Sequence, residues 1–142
     1  MTIPNFRKIN LVAYKPGRSI SNNRKKVIKL SANESALGIG KKVQKILKTF
    51  DKKISKYPDS KFKSLTNIIS KEYKCNQNQI ICGSGSDEII QMLCQLFLKM
   101  GDEVIVPQYS FLMYRIYAKI VDAKVVFSKE INFQVSIKEI LK

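Results

Sequence analysis

The sequence predicts an α/β fold built on a parallel-type sheet, and three observations carry that expectation. From residue 80 onward the hydrophobic pattern alternates as βαβαβ. The short apolar runs Ile80-Ile81-Cys82 and Val104-Ile105-Val106 lack the in-out alternation of a half-exposed strand, so they read as strands buried on both faces. Between the first strand and the next helix lies the Gly-rich turn Gly83-Ser84-Gly85, which runs directly into Ser86-Asp87-Glu88 and an apolar helical pattern. A helix that starts on such a turn presents unpaired backbone N–H groups and a partial positive charge, which together favour an anion.

The elements follow in order. Residues 1 to about 29 read as an irregular arm, with turn chemistry at Tyr14-Lys15-Pro16-Gly17 and Ser21-Asn22-Asn23-Arg24. Ile28-Lys29-Leu30-Ser31 fits a short strand, and Ala32-Asn33-Glu34-Ser35 fits a polar loop, where binding residues often sit. Val43, Ile46, Leu47 and Phe50 fall on one helical face and predict a helix over about 40–51; Lys56-Tyr57-Pro58-Asp59 breaks it. Phe62, Leu65, Ile68, Ile69 and Tyr73 predict a second helix over about 60–73, followed by a loop at Cys75-Asn76-Gln77-Asn78. After the Gly-rich turn, Ile89, Ile90, Leu93, Phe97 and Leu98 make a helix that Gly101 stops. Glu103-Val104-Ile105-Val106-Pro107 is the second strand, 110–121 a helix, Lys124-Val125-Val126-Phe127 the third strand, and Ser136 opens a last helix toward Lys142. The expected division is an N-terminal arm with the first helix, 1–50, and the α/β part, 51–142.

Composition narrows the function. The 142 residues suit one ordinary domain, and 44% apolar content suits a globular chain. The longest uncharged apolar stretch, Ile89 to Leu98, is too short to span a bilayer, and the first residues show no apolar core of a signal peptide. The three cysteines, Cys75, Cys82 and Cys94, show no Cys-x-x-Cys spacing, which argues against a disulfide scaffold or a zinc knuckle and for a reducing cytoplasm. The sequence has no histidine, so a Ser-His-Asp triad, a Cys-His pair and His-ligated metal sites are excluded within it; no metal site is expected. The formal net charge of +15 raises the alternative of a basic module for RNA or another polyanion. That alternative is the weaker one, because the charge is mostly Lys spread from Lys8 to Lys142, with only four Arg and no Arg-aromatic cluster.

The Gly-rich turn fits neither common nucleotide motif. A dinucleotide turn needs a third Gly where this chain has Glu88, and a P-loop needs a Gly-Lys-Ser/Thr that is absent. A wider set of motifs does match one family. Leu30-Ser31-Ala32-Asn33-Glu34, Tyr57-Pro58-Asp59, Asn78-Gln79-Ile80 with Gly83-Ser84-Gly85-Ser86-Asp87-Glu88-Ile89-Ile90, Gly101-Asp102-Glu103-Val104, and Pro107-Gln108-Tyr109 with Tyr114 occur in one order. In this the chain resembles the histidinol-phosphate aminotransferases, which belong to the fold-type I pyridoxal-phosphate-dependent aminotransferases. The likeness runs from about Tyr14 to the last residue.

The resemblance implies a cofactor, pyridoxal 5'-phosphate, and roles for particular residues. Backbone N–H groups around Ser86, Asp87 and Glu88 would hold the cofactor phosphate. Tyr109 would stack on the pyridine ring, and Tyr57 would reach the cofactor phosphate of the neighbouring subunit in a homodimer. Tyr14, Asn33 and Glu34 would lie near substrate. Ser35-Ala36 departs from the Asn-Pro usual in the family. The resemblance also implies an incomplete large domain. A family chain is more than twice as long, and its later half carries the Asn and Asp that contact the cofactor ring, the Schiff-base Lys and the substrate-carboxylate Arg. None has a counterpart here, and Ser128-Lys129 lies too early, and outside the Gly- and Arg-containing context, to be the Schiff-base site. The expectation is therefore no catalytic residue and no transaminase activity from these residues alone, weak cofactor binding, and either a separate chain that carries the C-terminal half or a gene remnant. Sheet edges and apolar faces left without their neighbours would also favour aggregation.

Overall fold

A computed structural model describes residues 9–15, 28, 30, 32–50 and 54–142. The helices are α1 (Lys41–Leu47), α2 (Lys63–Tyr73), α3 (Ser86–Phe97), α4 (Leu112–Ile120) and α5 (Ile137–Ile140), and the strands are β1 (Glu103–Pro107), β2 (Lys124–Ser128), β3 (Glu130–Ile131) and β4 (Gln134–Val135). The contacts divide the chain into two compact units: Ile81–Lys142 with the N-terminal stretch that includes 9–14, and Lys15–Ile80. Among the described residues, no helix is long and apolar enough to cross a membrane.

The first unit centres on β1 and β2, which pair in parallel with Glu103 opposite Lys124 and Pro107 opposite Ser128. Parallel strands require a crossover, and α4 supplies it, packing on both strands and against α3. This is the α/β architecture that the sequence predicts. Backbone bonds close both ends of the pair: Lys124 N–H to Asp102 O at 2.7 Å, and Gln108 N–H to Ser128 O at 3.2 Å. Val106 on β1 is 2% exposed and Ala118 on α4 is 0% exposed. With only a methyl group at 118, the helix approaches the sheet closely. Ala123, Cys94 and the hydroxyl-bearing Ser128 complete the buried set of this unit. Burial pushes the Cys94 thiol above its ordinary range, which keeps it protonated and unreactive.

Three sequence expectations need correction. Residues 80–82 do not form a strand, and Ile81 is 70% exposed. A strand exists only where a neighbour takes its alternating N–H and C=O groups, and no described residue pairs with this run. Ile28 and Leu30 are likewise exposed and outside any strand, while Lys29 and Ser31 lie outside the described residues. The turns expected at Pro16-Gly17 and at 21–24 also lie outside them. The first helix is shorter than expected and gives way to a turn at Lys48 and Thr49. The hairpin β3–β4 was not foreseen. Its two central residues, Asn132 (φ 51°) and Phe133 (φ 60°), both take the left-handed conformation that a two-residue hairpin demands. Asn tolerates this conformation, but Phe is an uncommon choice, so the local sequence carries no Asn-Gly signal.

In the second unit, Asp59 organises the start of α2. Its carboxylate accepts from Lys61 N–H at 3.1 Å and Lys63 N–H at 3.0 Å, leading the chain through Phe62 (φ 48°) into the helix. The Thr66 hydroxyl, buried, donates back to Phe62 O at 3.2 Å. Beyond α2, Gln77 Nε2 donates to Asn67 Oδ1 at 3.3 Å, tying the 3-10 turn Gln77–Gln79 to the helix. The backbone donors from Lys63 and Lys61 hold the Asp59 carboxyl below the usual carboxylate range.

Two tests follow from this packing. Ala118→Leu forces a larger side chain into the closest helix–sheet contact and is expected to destabilise the first unit by about 1–3 kcal/mol, read by denaturant unfolding. For Asp59 the folded pKa is depressed, so its contribution is present above the ordinary carboxylate range and is lost as pH falls through the depressed value. Far-ultraviolet circular dichroism is expected to show less helix for Asp59→Ala than for the parent chain at neutral pH, and a smaller further loss of helix in acid.

Candidate functional site

The loop Gly83-Ser84-Gly85 and the start of α3 form the core of the candidate site. Gly85, the residue before the helix, has φ 93°, a conformation that a side chain rarely adopts. Gly83 leaves room for two side-chain ends of the first turn. A Cβ there would lie 2.9 Å from Ile89 Cδ1 and 3.0 Å from Glu88 Oε2. The loop therefore curls tightly over the first turn of α3. The first intrahelical bond runs from Ile89 N–H to Gly85 O at 3.5 Å, and no side chain caps the helix. The N–H groups of Ser86, Asp87 and Glu88 thus face outward from the helix terminus without intrahelical acceptors.

Three side chains shape this terminus. The Glu88 carboxylate reaches back to accept the Ser84 N–H, bracing the loop from the inside. Asp87 Oδ2 accepts from the Tyr117 hydroxyl at 3.2 Å, which links α3 to α4. Asp87 Oδ1 is buried and has no hydrogen-bond partner among the described residues. Burial, and then the adjacent Asp87 carboxylate, pushes the Tyr117 phenol above the ordinary tyrosine range, because both disfavour a tyrosinate there. Tyr117 was expected only as a helix residue. Its bond to Asp87 spans 30 residues and has no local sequence signal.

Tyr109 follows β1 at the C-terminal edge of the parallel pair, the edge at which α/β sheets bind ligands. Its backbone N–H donates to Glu130 Oε1 at 3.0 Å, and its ring, largely exposed, lies 5.6 Å from the Phe133 ring, centroid to centroid. Hairpin β3–β4 therefore supports the Tyr109 loop from below through two contacts. Tyr14 belongs to the same unit. It packs edge-on against Phe111 at 6.3 Å, and Phe111 packs edge-on against Tyr114 at 6.4 Å. Tyr57, Asn33 and Glu34 belong to the second unit. Tyr57 is fully exposed in the turn before α2, and Asn33 (φ 52°) and Glu34 are exposed in a loop. The structure thus gathers Ser86, Asp87 and Glu88 at one helix terminus, sets Tyr109 and Tyr14 on the same unit, and sets Tyr57, Asn33 and Glu34 on the other.

The donor set fits a phosphate. A row of backbone N–H groups, a glycine loop close to the first turn, and a helix dipole directed outward favour a small, highly charged anion over an apolar ligand. An aromatic face at the sheet edge adds a stacking surface.

Comparison with known proteins shows the family of the chain. A family model, Aminotransferase class I and II, matches residues 25–142. A histidinol-phosphate aminotransferase of Pelagibacter ubique is 65% identical over 142 residues, which is 100% of this chain and 39% of that protein. One from Maricaulis maris is 34% identical over 134 residues, 94% of this chain and 37% of the relative. Among solved structures, a histidinol-phosphate aminotransferase from Sinorhizobium meliloti in complex with pyridoxal-5'-phosphate aligns with a TM-score of 0.74 at 17% identity, covering 78% of this chain and 30% of that one. The chain therefore spans about two fifths of the curated relatives it matches.

Titration of the tyrosines tests the α3–α4 link. Because the folded pKa of Tyr117 is raised, its contribution is complete below the ordinary tyrosine value and is lost as pH rises through the raised one. In an alkaline titration followed by tyrosinate absorbance, one of the six tyrosines is expected to ionise late. Tyr117→Phe is expected to abolish that late step, and Asp87→Asn to move it toward the others.

Proposed function

Since this chain belongs to the class I and II aminotransferases, we propose that it forms the phosphate-holding and ring-stacking side of a pyridoxal-phosphate-dependent transamination site of the histidinol-phosphate type. The observation that carries the proposal is the uncapped start of α3 under its glycine loop. The 65% identity to a curated histidinol-phosphate aminotransferase supports the substrate type, an amino compound or keto partner that bears a phosphate.

In this reading, N–H groups of Ser86, Asp87 and Glu88 bind the cofactor phosphate, and Glu88 braces the loop through Ser84 N–H. Tyr117 holds the Asp87 carboxylate in place at the terminus. Tyr109 supplies the flat face for the pyridine ring, positioned by the bond from its own N–H to Glu130. Tyr57 serves the phosphate of a second subunit, and Tyr14, Asn33 and Glu34 border the substrate. When bound, pyridoxal phosphate supplies the electron sink that lets an amino group pass between two carbon skeletons. None of these residues is placed to move the substrate proton, so catalysis needs a Lys from a further part of the protein or from a separate chain. The setting is a cytoplasmic homodimer.

The magnitudes limit what these residues do alone. A helix terminus contributes roughly 0.3–2 kcal/mol toward an anion, whereas millimolar affinity takes about 4 kcal/mol. Titration of the 142-residue chain with pyridoxal phosphate, followed by phosphorus NMR, is expected to give binding no tighter than millimolar. Inorganic phosphate is expected to compete, and pyridoxal without its phosphate to be weaker still. Equal binding of pyridoxal and its phosphate ester would refute the assignment of the α3 terminus. Transaminase activity is expected only when these residues operate together with the segment that bears the Lys.

A further inference from the structure

Within the first unit, the stretch 9–14, α4 and β2 border a half-open cavity of about 270 Å3, separate from the start of α3. Its walls are mainly apolar: Leu11 and Val12 from the N-terminal stretch, Ile116 from α4 and Phe127 from β2. Among the described residues, its charged lining residues are both positive, Arg115 and Lys119. They stand four residues apart on α4 and so share one face. The Arg115 guanidinium lies 5.5 Å from the centroid of the Phe127 ring. A cation–π contact of this kind orients the head group without neutralising it. Among the described residues, no acidic residue lines the cavity and neither cation forms a salt bridge.

This combination selects a ligand class. A purely apolar ligand would cover the walls but leave the half-buried Arg115 guanidinium, with the exposed Lys119 one turn away, without a counter-charge. A small anion such as acetate would meet the cations but leave the apolar walls wet. A polyanion would bring several charges to a cavity with two. A single anionic head on a short apolar tail satisfies both parts. The volume lies just below the common range for small-molecule sites, roughly 300–1,000 Å3, so the tail must be short. We propose that this cavity binds a short-chain monocarboxylate, with Arg115 and Lys119 on the carboxylate and Leu11, Val12, Ile116 and Phe127 around the tail. None of these residues takes part in the cofactor reading above, and the two stand or fall separately.

The test is amide NMR of the 142-residue chain titrated with sodium octanoate, and in parallel with octanol and with acetate. Octanoate is expected to saturate one site, with the largest shifts in α4 and β2. It is expected to bind about tenfold tighter than octanol, as the loss of one contact to a charged group requires, and tighter than acetate by a similar factor. The double substitution Arg115→Met, Lys119→Met keeps apolar stems of similar length and is expected to reduce octanoate to the level of octanol. Octanol matching octanoate on the parent chain would overturn the proposal, as would shifts that do not saturate and spread over exposed apolar residues elsewhere. If the double variant loses amide dispersion, the ranking of the three ligands on the parent chain decides the matter.

Discussion

The five-residue parallel register between β1 and β2 fixes most of what is adjacent in the first unit. With Pro107 opposite Ser128, both strands end at the same level. The residues that leave them, Gln108-Tyr109 on one side and Lys129-Glu130 on the other, therefore emerge side by side. That coincidence lets the Glu130 carboxylate reach the Tyr109 N–H across 21 residues of sequence. A slip of one residue would turn every side chain to the opposite face and carry Glu130 away from its partner. Ala118 matters for the same reason. By bringing α4 onto the two strands, it holds the register under a helix rather than leaving it to the ladder alone. The surface ion pair of Lys124 with Glu103, at 2.7 Å, sits at the other end of the same register, but both partners are well exposed and such a pair contributes little.

The start of α3 is organised on different terms. Its shape depends on two glycines with different duties: Gly85 for a backbone conformation, Gly83 for clearance. Two carboxylates also act there in opposite senses. Glu88 turns inward and takes the Ser84 N–H, which stiffens the loop. Asp87 turns toward α4, where Tyr117 takes one oxygen and the other is buried with no hydrogen-bond partner among the described residues. Negative charge at the first turn favours the helix itself, yet a carboxylate close to a phosphate opposes the phosphate. The Tyr117 hydroxyl tempers that conflict, because a donated hydrogen bond draws the Asp87 charge toward α4. The raised phenol pKa is the other side of the same arrangement.

Much of this was legible from residue order. The α/β class, the span of α2 and α3, the strand at 103–107 and the helix termination near Gly101 all follow from local periodicity and turn residues. Resemblance supplied what periodicity could not, namely the expectation that Ser86, Asp87 and Glu88 hold a phosphate and that Tyr109 stacks on a ring. The failures have a common physical origin. Ile80-Ile81-Cys82 has the composition of a buried strand, but a strand is a property of a pair, and among the described residues no partner meets it. The Asn132-Phe133 hairpin lacks the residues that such a turn usually selects, so the tertiary contact of Phe133 with Tyr109 outweighs local preference. Glu130 and Tyr117 act across gaps of 21 and 30 residues, where no spacing rule reaches.

The limited burial bears directly on how well the α3 terminus binds. Among the described residues, the apolar side chains that are fully buried are Cys94, Val106, Ala118 and Ala123, a set dominated by small residues. The apolar faces of α2 and α3 remain open at Ile68, Leu96 and Phe97, although their spacing is that of a core-facing helix. Where a thin core leaves side chains to be ordered, a ligand must order them as part of binding. That ordering costs roughly 0.5–1.5 kcal/mol for each immobilised side chain, comparable to what a helix terminus returns. The geometry of the start of α3 and its affinity are thus separate properties. The glycine loop, Glu88 and Tyr117 set the first from within this unit, while the second depends on apolar cover that lets the loop keep its shape before the ligand arrives.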